Sequence, residues 1–258
     1  RQKRFDLIID LQGLFRSVII AYLSGADYRI GFANAREFSP IFYNYNVSHP
    51  PIEMHAVDRY LLIAKELGAD ITKKDFKINI PEKEKEYAAS LISKIKKRPL
   101  IAINPSARWE TKMWPLKRYA ELTDTIAAKL KAQPLLIGGR EDEVRINELS
   151  SITKSKPLNL SGKTSLLQLA ALLKKVDLLI TNDSGPMHIA AAVGTPVIAI
   201  FGPTSPVRTG PYGNGHVVLQ SSLPCIRCLK KRCNDLKCME AITVEEVFNS
   251  VRKVLKQN

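Results

Sequence analysis

The amino-acid sequence predicts an α/β fold of two Rossmann-like domains with parallel sheets, the N-terminal one incomplete. Short apolar runs of strand length alternate with amphipathic stretches of helical length, most clearly from Pro99 onward. The strand-like runs are apolar on both faces, which is typical of parallel strands that helices cover on both sides. A shorter series of similar elements before residue 80 indicates what remains of a second domain of the same kind.

The N-terminal domain is predicted to span residues 1–80. Its predicted elements, in order, are a strand over 5–11, a helix over 14–23, a strand over 28–31, a loop rich in aromatic residues and proline over 32–54, and a helix over 55–67. The chain opens with a basic segment that runs directly into the first strand, without an initiator methionine. We therefore expect the opening βα units of this domain to be absent, which would leave a sheet edge unpaired.

Residues 81–98 are predicted to form a helix that links the domains, because Pro81 precedes a long charged amphipathic stretch. The C-terminal domain is predicted to span residues 99–242. Its predicted strands are 100–103, 135–137, 158–160, 177–181 and 197–201, and its predicted helices are 116–130, 142–150, 165–174 and 186–193. The segment 243–258 is predicted to form a last helix, which we expect to cross back to the N-terminal domain.

Composition and charge narrow the function. The chain has 258 residues, 45% of them hydrophobic, and no run of about eighteen apolar residues that could span a membrane. The formal charge of +14 indicates an anionic partner, which on charge alone is a phosphorylated small molecule, a phospholipid surface or nucleic acid. All four cysteines lie within residues 225–238, which excludes a chain-wide disulfide framework and suits a reducing cytoplasm.

The strongest functional signal is the segment TNDSGPMH, residues 181–188, where a buried strand runs into a helix. Backbone amides at a helix start are unpaired and lie at the positive end of the helix dipole, so Ser184 and Gly185 suit a phosphate. A phosphate would repel Asp183, which we instead expect to accept hydrogen bonds from sugar hydroxyls. His188, one turn later, can face the same crevice. The simpler alternative is that Asp183 caps the helix and His188 packs against the sheet.

The second segment, NPSARWETKMWP at residues 104–115, follows another predicted strand. Loops at the carboxyl ends of parallel strands are where α/β proteins bind ligands. Ser106 lies in this loop, and Lys112 could neutralise a leaving diphosphate. The alternative is a solvated lysine, and Trp114 is interpreted as a core anchor.

The third segment is IGGREDE, residues 137–143. Its two glycines would let a ligand approach the backbone, and an acidic residue such as Asp142 commonly holds ribose hydroxyls in nucleotide-binding folds. An acidic first helical turn that offsets the helix dipole explains the same residues equally well.

The cysteines Cys225, Cys228, Cys233 and Cys238 form a CxxC pair followed by two single cysteines. Four thiolates this close could bind a structural zinc, and the basic residues between them favour the thiolate form. Local disulfides and reduced thiols are the alternatives.

Taken together, the segments DLQGLFRS, NPSARWETKMWP, TNDSGPMHIAAAVGTP and FGPTSP resemble the lipopolysaccharide heptosyltransferases over nearly the whole chain. The segment AREFSPIFYN, followed by HAVDRY, is most similar to the heptosyltransferase I branch. The resemblance implies a GT-B glycosyltransferase that moves heptose from ADP-heptose, with inversion and without a metal, to a Kdo residue of the lipopolysaccharide inner core on lipid A. It also implies a peripheral location on the cytoplasmic face of the inner membrane.

The resemblance also implies roles for individual residues. Lys112 and Asp183 would take part in catalysis, and Arg36 and His55 would face the anionic acceptor. The implied donor-binding residues are Ser106, Lys112, Asp142, Asp183, Ser184, Gly185 and His188.

In the family that the chain resembles, the proposed general base is an aspartate in the loop after the first strand of the domain. That loop belongs to the segment we expect to be missing, and Asp10 lies at a different strand end. The sequence therefore predicts a polypeptide that binds ADP but does not transfer sugar.

Three other functions compete with this interpretation. The first is another GT-B transferase or a sugar-nucleotide epimerase, and the second is a non-catalytic scaffold. The third is a basic nucleic-acid-binding protein with a four-cysteine metal module. The aromatic residues do not interleave with basic ones as a base-stacking platform requires, so no nucleic-acid partner is expected.

Overall fold

The computed structural model describes residues 4–48, 50–51, 53–76 and 78–257. The chain forms two compact units, Arg1–Asp75 and Phe76–Asn258. Each unit has its own sheet, and every strand pairing in both sheets is parallel. The predicted α/β class is therefore confirmed. Within the described residues, no helix combines the length and the apolar composition that crossing a bilayer requires.

The first unit has a three-stranded sheet in the order β1-β2-β3. Its elements are β1 (Leu7–Ile9), α1 (Phe15–Ser24), β2 (Tyr28–Phe32), a 3-10 helix (Ser39–Phe42), β3 (Tyr45–Val47) and α2 (Ala56–Glu66). A small core forms around Ile30, Phe32, Val47 and Ile63. The prediction of a continuous loop over residues 32–54 is wrong. β3 has only three residues, and such a short segment gives no detectable apolar period.

The second unit has a six-stranded sheet in the order β6-β5-β4-β7-β8-β9. Its elements are α3 (Glu82–Ile92), β4 (Leu100–Asn104), α4 (Leu116–Leu130), β5 (Gln133–Leu136), α5 (Glu143–Ile152), β6 (Leu158–Asn159), α6 (Leu166–Leu173), β7 (Leu178–Asn182), α7 (Gly185–Ala192), β8 (Val197–Phe201), α8 (Pro206–Thr209), β9 (Val217–Gln220), α9 (Lys237–Glu240) and α10 (Val244–Gln257). The sequence did not predict β9, α8 or α9.

Alternate residues of the central strands pack into two separate cores, one on each face of this sheet. In β4, Ile101 and Ile103 belong to the core that α4, α5 and α10 cover. Leu100 and Ala102 belong to the core that α3, α6 and α7 cover. Each fully buried aliphatic side chain contributes about 1.5–3 kcal/mol, which explains why both faces of these strands are apolar in sequence.

The two helices that were predicted to connect the domains both pack within the second unit. α3 ends at Ile92, earlier than predicted, and lies against α6. α10 lies against α4 and β8. The linking role of residues 81–98 and the crossing of the last helix stay predictions.

Candidate active site

The crevice of the second sheet lies between β4 and β7, where the order of the strands reverses. β4, β5 and β6 succeed one another in one direction along the sheet, and β7, β8 and β9 succeed one another in the other. Loops that leave neighbouring strands at such a point diverge and leave a crevice at the carboxyl ends, where α/β proteins bind ligands. Asn104 pairs in register with Thr181 at this position. The two strongest sequence segments therefore meet there.

Asn104, the last residue of β4, connects the loop after β4 to the loop after β7 through hydrogen bonds. Its Nδ2 donates to Thr181 Oγ1 at 3.2 Å and to Ser184 Oγ at 2.8 Å. Ser184 is the N-cap residue of α7, yet its side chain makes no capping hydrogen bond. The Ser184 hydroxyl is held by Asn104 and Thr181 instead. Pro186 has no N–H and that of Met187 donates to the carbonyl oxygen of Ser184, so the N–H of Gly185 is the group at the start of α7 that can bind an anion.

Lys112 and Asp183 form a buried ion pair immediately before α7. Lys112 Nζ lies 2.7 Å from Asp183 Oδ2, and the two side chains are 17% and 7% exposed. Thr204 Oγ1 donates to the same carboxylate oxygen at 2.7 Å. These contacts direct the Asp183 carboxylate toward Lys112 and Thr204, so the simpler interpretation of Asp183 as a cap does not describe its hydrogen bonds.

A 3-10 helix at Glu110–Lys112 positions the lysine. Thr111 is buried, and its Oγ1 donates to the carbonyl oxygen of Lys230 at 2.8 Å. Lys112 Nζ also lies 4.6 Å from the ring centroid of Trp109, within the range of a cation–π interaction. The lysine is therefore held by its turn, by an aromatic ring and by a carboxylate.

Trp114 anchors the end of the same loop in the core. Its side chain is fully buried, and its Nε1 donates to the carbonyl oxygen of Ile242 at 2.9 Å. Its backbone N–H donates to Asn182 Oδ1 at 3.0 Å, and the Tyr119 hydroxyl donates to the same atom at 3.1 Å. Burial raises the pKa of Tyr119 well above its ordinary value, which keeps this hydroxyl protonated as a donor. The interpretation of Trp114 as a core anchor agrees with these contacts.

A cavity of about 740 Å³ opens at the carboxyl ends of β4, β5 and β7. Its volume is within the usual range for a small-molecule site. Four of the predicted donor-binding residues are among those that line it, namely Ser106, Asp142, Ser184 and Gly185. Three are not among them, namely Lys112, Asp183 and His188, and His188 is exposed on α7.

One feature of the cavity wall favours a bound ligand. Ser106 Oγ is buried and has no hydrogen-bond partner among the described residues, whereas buried hydroxyls nearly always have one. At Gly138 a Cβ would lie 2.4 Å from Cδ1 of the buried Ile146, so this glycine allows the close packing of α5 on the end of β5. Asp142 Oδ2 accepts from the N–H of Gly139 at 2.9 Å, so this carboxylate shapes the turn as well as lining the cavity.

The predicted acceptor residues both lie in the first unit. Arg36 is exposed after β2, and its backbone N–H donates to the carbonyl oxygen of Gly13 at 3.0 Å. His55 is the N-cap residue of α2, where its Nδ1 accepts from the N–H of Val57 at 3.2 Å. His55 therefore has a structural role, and binding of the acceptor by either residue stays a prediction.

Asp10 is a buried carboxylate whose oxygens are occupied by local donors. It accepts from the backbone N–H groups of Gln12 and Gly13 and from the hydroxyls of Ser17 and Tyr43, at 2.8–3.1 Å. Burial, followed by the hydrogen bond to Asp10, raises the pKa of Tyr43 above its ordinary value. These four bonds show that Asp10 fixes the turn after β1 and the hydroxyl of Tyr43.

The four cysteines are free thiols, three of them exposed and Cys238 buried. Burial raises the pKa of the Cys238 thiol, and charge on Cys225, Cys228 and Cys233 would raise it further. In the part of the chain that the structure describes, no three His, Cys, Asp or Glu side chains are placed to hold a metal ion. The cysteines as arranged do not fit a tetrahedral zinc, so zinc binding stays a prediction from their spacing alone.

The sequence profile described as glycosyltransferase family 9 (heptosyltransferase) matches residues 1–239. The chain belongs to this family. The match includes the Lys112–Asp183 pair, the start of α7 and the whole of the first unit, so the family assignment and the site geometry concern the same residues.

Curated relatives and a solved structure support the same assignment. The chain is 32% identical over 273 residues to lipopolysaccharide core heptosyltransferase OpsX of Haemophilus influenzae, and the aligned region covers 98% of this chain and 76% of OpsX. It is 30% identical over 226 residues to lipopolysaccharide heptosyltransferase 2 of Escherichia coli K12, covering 83% of this chain and 64% of that protein. The structure of E. coli heptosyltransferase WaaC with ADP has a TM-score of 0.73 and 25% identity, covering 98% of this chain and 74% of that one. The predicted GT-B fold is confirmed, and the chain spans about two thirds to three quarters of the length of these relatives.

Three residues at the candidate site were not predicted from the sequence. Asn104 organises the loops, Thr204 donates to Asp183, and Arg108 lines the cavity as an exposed cation. The polar end of β4 is a signal that could have identified Asn104. Thr204 lies in the segment FGPTSP, where the sequence indicates only the resemblance to the family.

Proposed function

We propose that this family 9 glycosyltransferase binds ADP-heptose at the carboxyl end of the second sheet and transfers heptose to a Kdo residue of the lipopolysaccharide inner core. The names of the relatives support heptose as the transferred sugar and lipopolysaccharide as the acceptor. The WaaC structure with ADP supports an adenine nucleotide in this fold. The similarity of residues 35–44 and 55–60 to the heptosyltransferase I branch supports Kdo as the accepting sugar.

One observation carries the proposal: the buried Lys112–Asp183 pair stands directly before the uncapped start of α7. The diphosphate would bind the backbone N–H groups of Ser184 and Gly185 at the start of α7, with the unpartnered hydroxyl of Ser106 as a further donor. The nucleoside would occupy the adjoining cavity, where Asp142 is placed to accept from a ribose hydroxyl.

The chemistry proposed for this site is a direct displacement. The acceptor hydroxyl attacks the anomeric carbon, the bond from that carbon to the phosphate oxygen breaks, and the configuration inverts. Lys112 and the α7 amides stabilise the negative charge that develops on the departing ADP, which in this scheme needs no metal. Asp183 accepts hydrogen bonds from the heptose hydroxyls and holds Lys112 in place. The acceptor hydroxyl gives its proton to a general base, and Asp10, whose oxygens accept from four local donors, is not assigned this role.

The acceptor in this proposal is anionic and attached to lipid. The Arg36 guanidinium suits a carboxylate or phosphate through two parallel hydrogen bonds, and His55 lies at the start of α2 in the same unit. We propose that the enzyme works at the cytoplasmic face of the inner membrane, where a net charge of +14 favours an anionic surface.

Nucleotide preference tests the donor half of this proposal. We expect ADP to bind and to raise the melting temperature of the chain, and UDP at the same concentration to raise it much less, because the cavity is proposed to hold adenosine. Ligand at about 100 times its Kd stabilises a folded protein by roughly 2.7 kcal/mol, an increment that thermal unfolding monitored by fluorescence measures directly.

The Asp142→Asn variant is the matched control, since the amide keeps an oxygen that can accept from the N–H of Gly139. It should weaken ADP binding while leaving the melting temperature of the unliganded chain nearly unchanged. The proposed donor would be contradicted if ADP and UDP stabilised the chain equally, or if neither nucleotide stabilised it.

A further inference from the structure

The loop between β9 and α9, residues 221–236, carries four basic residues that the proposed function does not use. We call it the basic loop, and these residues are Arg227, Lys230, Lys231 and Arg232. Although it is largely exposed, it is fixed to the segment that follows β8. The N–H of Arg227 donates to the carbonyl oxygen of Gly202 at 3.3 Å, and the N–H of Leu229 donates to that of Pro203 at 2.8 Å.

The backbone of the basic loop adopts a conformation that only tertiary contacts maintain. Arg227 and Leu229 have φ values of 61° and 57°, in the left-handed region that side chains with a Cβ disfavour. These are the two residues whose amides bind Gly202 and Pro203. Beyond the loop, α9 approaches Gly202 so closely that a Cβ there would lie 2.5 Å from Met239 Sδ. Arg227 and Leu229 therefore hold the basic loop against the segment that follows β8, and α9, which comes after the loop, packs on the same segment.

The middle of the basic loop contacts the turn that carries Lys112. Thr111 Oγ1 donates to the carbonyl oxygen of Lys230 at 2.8 Å. Lys231 Nζ lies 5.3 Å from the ring centroid of Trp109, and Lys112 Nζ lies 4.6 Å from the same centroid. The two ammonium groups can therefore be no farther apart than the sum of these two distances. The ring of Trp109 thus lies near two lysines that are more than a hundred residues apart in the sequence.

Charge distinguishes the two lysines. The charge of Lys112 is already balanced by Asp183, whereas Lys231 makes no ion pair among the described residues. An ADP-sugar brings two negative charges, and breaking the anomeric bond adds a third to the departing ADP. A lysine that is already paired cannot balance this charge alone.

We propose that Lys231 is a second phosphate-binding residue, which the basic loop places beside Lys112 to bind the diphosphate of the donor. This inference rests on the proposed function, because it assigns a residue to the diphosphate of the same donor. Trp109 positions both ammonium groups, and the contact between Thr111 and Lys230 sets the register of the basic loop relative to Lys112.

The test compares Lys231→Ala with Arg232→Ala by titration calorimetry of the full chain. Arg232 is the neighbouring exposed cation, so its removal matches the charge change. We expect Lys231→Ala to raise the Kd for ADP about tenfold, which corresponds to about 1.4 kcal/mol, and Arg232→Ala to change it less than about twofold. Lys231→Arg should retain most of the affinity. Adenosine should bind wild type and Lys231→Ala equally, because it lacks the diphosphate.

Three results would overturn the inference. Equal ADP affinity in Lys231→Ala and wild type would show that the ammonium group does not contact the diphosphate. Equal losses in Lys231→Ala and Arg232→Ala would show a general charge effect, and a parallel loss for adenosine would show a structural role. In each case the wild type still binds ADP and the proposed function stands, whereas a wild-type chain that binds no ADP would overturn both.

Discussion

Replacing Lys112 by methionine is expected to raise the Kd for ADP by about 10- to 100-fold and to lower the free energy of unfolding by about 3 kcal/mol. Methionine fills a similar volume but carries no charge. The Asp183 carboxylate, which is only 7% exposed, would keep Thr204 as its donor and lose its cation. Removing one partner of a buried pair is costly because the other charge stays buried. Calorimetry measures the Kd, and urea unfolding measures the stability.

Asp183→Asn is the matched variant, and its two effects should differ from those of Lys112→Met. The amide oxygen can still accept from Thr204, and Lys112, which is 17% exposed on a flexible side chain, can turn toward solvent. The loss of stability should therefore be smaller, about 1–2 kcal/mol. ADP should bind as tightly as to wild type or more tightly, since Lys112 is released from its carboxylate. Unchanged ADP affinity in Lys112→Met would refute its assignment to the diphosphate.

The double variant separates the ion pair from the other contacts of its members. Lys112→Met together with Asp183→Asn leaves no buried charge at this position, so its stability should exceed that of Lys112→Met alone. The difference between the summed single effects and the double effect gives the coupling energy of the pair. A coupling energy near zero would mean that the 2.7 Å contact contributes nothing to stability.

The strands of the second sheet could be predicted because burial constrains them on both faces. β8 has the predicted bounds, and the predicted end of β7 differs from the structure by one residue. β9 was not predicted because it is an edge strand of four residues, none of which is fully buried. Burial on both faces made β4, β7 and β8 recognisable in the sequence, and β9 lacks it.

The candidate site could be predicted only where its residues follow strand ends. Ser106 and Ser184 stand next to buried strands, and the sequence shows that position directly. The hydrogen bond from Thr204 to Asp183 spans 21 residues, and that from Thr111 to Lys230 spans 119. Contacts of this kind depend on how the strands are ordered in the sheet, which local periodicity does not encode. The cysteines of the basic loop suggest a metal module, which stays a prediction, and the contact of Lys230 with the turn that carries Lys112 could not be predicted from the sequence.

Replacing Trp114 by alanine should cause the largest loss of stability in this set, about 4 kcal/mol. The indole is fully buried, and its ring packs edge-to-face on Tyr119 with centroids 5.0 Å apart. Its removal leaves a cavity and removes one of the two hydrogen bonds that the carbonyl oxygen of Ile242 accepts, the other being from Arg118 Nη1. Because whole domains are stable by only about 5–15 kcal/mol, urea unfolding should show a midpoint that is shifted far below that of wild type.

Trp109→Ala is the control in the same loop, and comparison of the two tryptophans separates anchoring from substrate binding. Trp109 is only partly buried and contacts Lys112 and Lys231 through its ring face. Its loss should cost only about 1 kcal/mol of stability but should weaken ADP binding, since both ammonium groups lose the surface that positions them. Trp114→Phe keeps a six-membered aromatic ring but loses the pyrrole ring with its N–H, and its stability should lie between those of Trp109→Ala and Trp114→Ala. If Trp109→Ala destabilised the chain as much as Trp114→Ala, the loop would be held as one unit, and the assignment of Trp109 to positioning the two lysines would be wrong.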